Sequence, residues 1–265
     1  MNSNDTLSYI LEQRCSVARF GDGEISLLNG VNQVFQDADY TLRQRLDEIL
    51  KMGSRPELLV CLSDVFHGLD MLVDSAHDWW QGHLATFNQY YQEIGEIGNY
   101  YGNTMVTRPY MDFKDRSSAG EIFDRLKEIW RGRDLLIVEG YYTRSGVGND
   151  LYSTASSVRR IICPSKNAWE KYYEIEKMIK LYGQNCLVLV MLGMTATVIA
   201  ADLAEYTQVI DLGHLDPEYE WYKIKAKTRV PIRGKHTAEM NYDVGIEDID
   251  NQKYRSEIIA KIGVE

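Results

Sequence analysis

No apolar run in this chain approaches the roughly 20 residues needed to cross a bilayer. The longest, residues 186–194, suits a buried strand. Residues 1–13 lack the basic segment and apolar core of a secretion signal and read as a polar helix start. Cysteine is sparse, at positions 15, 61, 163 and 186, with no CxxC pair and no His/Cys cluster. That spacing argues against a structural zinc site and indicates reduced, buried thiols in a cytoplasmic protein. Dense Lys/Arg runs are also missing. The formal charge is -10 and the isoelectric point about 5.1, so the surface repels a phosphate backbone and nucleic acid is excluded as the main partner. No repeat, low-complexity tract or Pro/Gly-rich linker divides the chain, so residues 1–265 are expected to form a single domain.

What is present is alternation. β-rich runs at 16–21, 57–63, 104–108, 134–139, 157–163, 186–192 and 208–211 are separated by amphipathic stretches at 5–14, 41–52, 76–94, 119–131, 167–182 and 195–205. A further β-like run covers 229–232. The runs around 135–138 and 186–192 are continuously apolar, as strands covered on both faces are. The pattern predicts an α/β fold, a mostly parallel β-sheet with helices on both faces. Ligands of such sheets bind beyond the carboxyl ends of the strands.

Three constellations fall there. Arg19 leads into Gly21, Asp22, Gly23 and Glu24. In an extended segment, carboxylates at i and i+2 project to one side and offer hard oxygen ligands to Mg²⁺ or Mn²⁺. The plainer alternative is a helix start capped by Asp22, with Glu24 in its first turn. The second is a glycine-rich loop after the strand at 134–139, carrying Arg144, Ser145, Gly146, Asn149 and Asp150. Its backbone N–H groups and the Arg144 fork suit a pyrophosphate; a connecting loop whose Asn149 or Asp150 caps a helix is the alternative. No GKS/T follows, so it is not a P-loop, and no GxGxxG marks a dinucleotide site. The third gathers His214, Asp216, Glu218 and Glu220. They share a face if extended and suit a general base, a metal ligand or sugar hydroxyls, whereas a helix beginning near Pro217 makes Asp216 its cap. Ser165 and Asn167 open a helix and are placed to touch a base or ribose, or to cap. Thr195 opens another, as a phosphate seat or for tight packing. Lys235 and Glu239 lie in a polar loop. Trp79 and Trp80 read as helix packing.

Seven blocks, ARFGDGEISLL, VTRPY, LLIVEGYYTRSGVGNDLY, RIICPSKNAW, LGMTATVIAADLA, IDLGHLDPEYEWY and RGKHTAE, follow one another in order over roughly residues 16–239. In them the sequence resembles the bacterial glycosyltransferases of the GT-D fold, first catalogued as a domain of unknown function. The resemblance implies a Rossmann-like fold, a Mn²⁺-type ion at a DxE motif (here Asp22 and Glu24), and a UDP-sugar donor, often with glucose as the sugar. It also implies a glycan acceptor such as a surface glycoprotein. Gly193-Met194 stands where the family pattern has Gly-Pro, and His236 stands where an aromatic is commoner.

The expected reaction is metal-dependent transfer of a sugar. Asp22 and Glu24 hold the metal. Arg19, Arg144, Ser145, Gly146, Asn149, Asp150, Ser165, Asn167 and Thr195 form the donor side. One of Glu239, Asp216, Glu218 and Glu220, beside His214, deprotonates the acceptor if the reaction inverts. A metal-dependent phosphohydrolase and a non-catalytic sugar-nucleotide module are the rivals.

Overall fold

Successive residues of a strand face opposite sides of a sheet, so a strand without polar alternation must be covered twice. In this computed structural model, which describes residues 1–241 and 243–264 apart from the side chains of Ala238 and Glu239, that is the arrangement found. The elements run α1 (Ser3–Gln13), β1 (Ser16–Phe20), α2 (Asp22–Leu28), α3 (Tyr40–Met52), β2 (Leu58–Leu62), α4 (Asp74–Glu96), β3 (Gly102–Asn103), α5 (Ala119–Ile129) and β4 (Asp134–Gly140). They continue through β5 (Ser157–Cys163), α6 (Tyr172–Tyr182), β6 (Leu187–Met191), α7 (Met194–Asp202), β7 (Val209–Asp211), α8 (Leu215–Lys223), α9 (Ala238–Asn241), α10 (Gln252–Glu257) and β8 (Ile258–Lys261).

The strands form one eight-stranded sheet in the order β3-β2-β1-β7-β6-β4-β5-β8, and the paired strands run parallel. Leu136, Val138, Val188 and Val190 pack into the apolar layer that also contains α3, α6 and α7 side chains. Their neighbours Leu135, Ile137, Leu187 and Leu189 pack into the opposite layer with α1, α5 and α8. Helix α7 is buried nearly all round, and its Ala and Thr residues let it lie close against β1. The four cysteines are buried and free. Among the described residues, no helix is long and apolar enough to cross a membrane.

The sequence expectation differs in three places. Residues 104–107 form a 3₁₀ turn rather than a strand, because the Asn103 side chain accepts from Met105 N–H at 2.9 Å and caps the turn. Residues 229–232 are not a strand. Strand β8 was not foreseen; it pairs with β5 across a register irregularity at Arg160/Ile161.

A buried ion cluster ties this far edge to the loop after β4. Arg160 donates to Glu139 at 2.6 Å, to Glu257 at 2.7 Å and to the Ser145 carbonyl at 2.9 Å, and lies over the Tyr254 ring. Glu139 in turn accepts from Ser145 N–H at 2.7 Å. The glycine-rich loop is thus held from beneath by residues of β4, β5 and α10.

Candidate active site

A cavity of about 490 Å³ opens beyond the carboxyl ends of the strands. Its lining includes Arg19, Asp22, Glu24, Ser145, Ser165, His214 and Asp216 from the expected set.

The DxE segment does not remain extended. It begins α2, with Gly21 rather than Asp22 as the N-cap, and Glu24 folds back so that its Oε2 accepts from Gly21 N–H at 2.8 Å. Side chains two apart in a helix diverge by about 200°, so the one-sided projection expected from an extended chain is not what unites the pair. They reach the same cavity because the first turn of α2 sits at the end of β1. Asp22 accepts from the Trp79 indole N–H at 3.0 Å. Asp211, at the end of the adjacent strand β7, adds a third carboxylate. Burial, then the charge of Asp211, raises Glu24 to about 7, and burial raises Asp211 to about 6. Arg19, 3.9 Å from Asp211, opposes both shifts. A desolvated acidic pair with a single neighbouring guanidinium is a setting in which a further cation is stabilising. Among the described residues, no three His, Cys, Asp or Glu side chains form a metal-binding group. Asp22 and Glu24 could hold an ion that would keep coordination positions for substrate oxygens and water, as Mg²⁺-like ions prefer.

Arg144 departs from its expected role. It is buried, adopts φ 44°, and spends its donors on the Gly234 carbonyl at 2.8 Å, the Glu247 carbonyl at 2.9 Å and Asp248 at 2.9 Å. It is not part of the cavity lining, and it latches the loop to the C-terminal segment. Arg144→Ala is therefore expected to lower stability by about 2–3 kcal/mol, the scale of lost hydrogen bonds to a charged group. Denaturant melts of the variant and the wild type measure the loss.

The acidic trio after β7 is split by helical geometry. Asp216 and Glu220, four apart on α8, face Lys235 Nζ at 2.8 Å each and Asn149 Nδ2 at 2.8 and 2.7 Å. Asp216 also accepts from Gly146 N–H at 2.7 Å. Glu218 points to the other side, where it accepts from Tyr110 and Met111 N–H at 2.9 and 3.0 Å; burial raises it to about 7. It positions the loop that bears Arg108 and Asp112. The shared face expected of an extended chain is absent. Asp150 pairs with Lys127 and Lys223 outside the cavity, and Asn149 accepts from Leu151 N–H. Asn167 clamps Asp37, and Thr195 is fully buried in α7; neither lines the cavity. The side chain of Glu239 lies outside the described residues.

Several lining residues were not foreseen. Trp80 packs in a satellite cluster as expected of a helix residue, but Trp79 is 60% exposed at the cavity mouth. Arg108 and Arg229 both pair with Asp112 in the wall. His236 and Asp243 also line the cavity. Only the Trp pair carried a sequence signal.

The family model for the glycosyltransferase GT-D fold matches residues 17–240. The chain belongs to the GT-D-fold glycosyltransferase family. It is 46% identical over 98% of its length to Glycosyltransferase GlyD of Streptococcus pneumoniae serotype 4 (strain ATCC BAA-334 / TIGR4), covering 32% of that protein. It is 43% identical over its whole length to a probable glycosyl transferase Gly of Streptococcus gordonii, covering 39%. The chain thus spans about a third of these relatives. A solved domain of unknown function 1792, described as having a distinct glycosyltransferase fold, superposes with a TM-score of 0.96 at 46% identity, over 99% of this chain and 95% of that one. A glycosyltransferase of the same domain type from Streptococcus sanguinis superposes at 0.95 with 44% identity, over 99% and 98%. The GT-D family's α/β architecture is the one described above.

Proposed function

We propose that this GT-D-fold chain transfers a sugar, with glucose the first candidate, from a UDP-sugar to a glycan or glycoprotein acceptor in the cytoplasm. The observation that carries the reading is the meeting of Asp22, Glu24 and Asp211 with Arg19 in one cavity at the strand ends. Glycosidic bond cleavage builds negative charge on the leaving diphosphate, and charge stabilisation in a dry site is the main catalytic requirement. A Mn²⁺ or Mg²⁺ ion held by Asp22 and Glu24 supplies Lewis-acid stabilisation of that charge.

The protein's own groups do the rest. Arg19, Arg108 and Arg229 line the cavity and set guanidinium groups among its carboxylates. Glu24, bonded to Gly21, keeps the first turn of α2 aligned at the end of β1. Ser165 presents a small polar group beside the strand end of β5, suited to sugar or ribose hydroxyls, whereas the buried Ser145 hydroxyl is engaged by Tyr152.

The test is thermal stabilisation by UDP with and without Mn²⁺, followed by turnover of UDP-glucose with a glycan acceptor. At 100-fold excess over Kd, UDP with the ion should stabilise the fold by about 2.7 kcal/mol, and EDTA should remove the increment. Acceptor-indifferent release of UMP or sugar phosphate instead of transfer would turn the assignment to a phosphohydrolase.

A further inference from the structure

His236 stands in the cavity wall. Two contacts fix it. Its backbone N–H donates to the Tyr142 carbonyl at 2.7 Å, and its ring Nδ1 lies 2.5 Å from Asp243 Oδ1. Asp243 is held below the usual carboxylate range: burial, the largest influence, works the other way, but the bond to and charge of His236, the Ser165 hydroxyl and the charge of Lys166 together outweigh it. In the neutral tautomer that donates Nδ1–H to Asp243, Nε2 keeps its lone pair. An imidazole oriented by a carboxylate is the arrangement of a general base.

Of the carboxylates named for this role, three are committed elsewhere, and the side chain of Glu239 lies outside the described residues. Asp216 and Glu220 are neutralised by Lys235, and Glu218 is turned under the Tyr110–Met111 backbone. The other titratable or charged groups near the His236 ring are His214, whose ring centroid is 6.5 Å away, Lys166 beside Asp243, and Lys235 and Asp216 on the adjoining loop and helix α8.

We propose that His236, oriented by Asp243, is the proton acceptor for the acceptor hydroxyl in this chain. The inference rests on the sugar-transfer reading and specifies an inverting reaction. The hydroxyl proton passes to Nε2, the oxygen lone pair forms the bond to the anomeric carbon, and the bond from that carbon to the diphosphate breaks with its electron pair leaving on the phosphate oxygen. The imidazolium then returns its proton to water.

The experiment measures kcat, KM for each substrate, the pH profile of kcat and UDP–Mn²⁺ affinity for the wild type, His236→Gln, His236→Phe and Asp243→Asn. Asn is well tolerated at the left-handed backbone of position 243, where φ is 63°. Both His236 variants should lose about 10²–10⁴-fold in kcat, keep UDP affinity within about threefold and lose the acidic limb of the profile. Asp243→Asn should lower kcat about 10–100-fold and move that limb to lower pH, because the imidazolium loses its neighbouring negative charge. The product should have inverted anomeric configuration. Wild-type kcat with an unchanged acidic limb in either His236 variant overturns the inference, as does a retained configuration. A wild type that neither binds UDP nor transfers sugar overturns the underlying reading instead.

Discussion

Asp22→Asn and Glu24→Gln are each expected to reduce sugar transfer about 10³-fold or more while leaving the melting temperature within a few degrees. A thousandfold loss corresponds to about 4 kcal/mol of transition-state stabilisation, the order attributed to a Lewis-acid cation on a leaving diphosphate. Neither substitution opens the core: Asp22 makes no cap bond in α2, and Gln at position 24 still offers an oxygen to Gly21 N–H. The effect should therefore appear as lost Mn²⁺ dependence rather than lost protein. Metal titration of each variant checks this, and full turnover in EDTA by the wild type would remove both residues from the proposed role. The pair should not be equivalent. Asp22 is bridged to Trp79 at the exposed mouth, whereas Glu24 sits deeper beside Asp211, where an uncompensated charge is costlier.

Arg160→Met should be the most destabilising single change near the site, costing about 3–5 kcal/mol. Removing one partner of a buried ion pair leaves the others charged and desolvated, and here two carboxylates, Glu139 and Glu257, are left facing each other's field. For a chain of this size that corresponds to a fall in Tm on the order of 10 °C. Because Arg160 also holds the Ser145 carbonyl, the glycine-rich loop should loosen before the fold melts. Hydrogen exchange at residues 144–148 would reveal it. Adding Glu139→Gln and Glu257→Gln to the Arg160→Met protein should recover much of the loss, since no buried charge then remains. If the single variant melts with the wild type, the cluster is not a stabilising lock.

The sheet was legible where burial suppresses alternation. β4 and β6 are continuous apolar runs, and nothing but a doubly covered strand places them comfortably. The segment 102–108 was not, because an Asn side chain competing for a backbone N–H leaves no periodic trace. β8 was hidden for a related reason: an edge strand of four residues has one neighbour and a partly exposed surface.

In the site, residue types were legible and their directions were not. Asp22 and Glu24 were recognisable as hard ligands although the extended geometry expected of them gives way to a helix start. The same switch in periodicity, from two to 3.6, separates Glu218 from Asp216 and Glu220. Arg144 has the chemistry for phosphate, yet sequence does not show which acceptors its guanidinium meets first. Asp211 was visible only as a strand end. His236 and Asp243 are seven apart and flank α9, so their pairing exists only in three dimensions.

The Arg144 latch and the Arg160 cluster share a consequence for biogenesis. Glu247, Asp248 and Glu257 follow Arg144, Glu139, Arg160 and Gly234 in the chain. A nascent polypeptide that has emerged only as far as α9 carries seven of the eight described strands, yet Arg144 lacks two of its three acceptors and Arg160 one of its two carboxylates. Full fastening of the turn after β4 should therefore arrive only once residues 247–257 have been made.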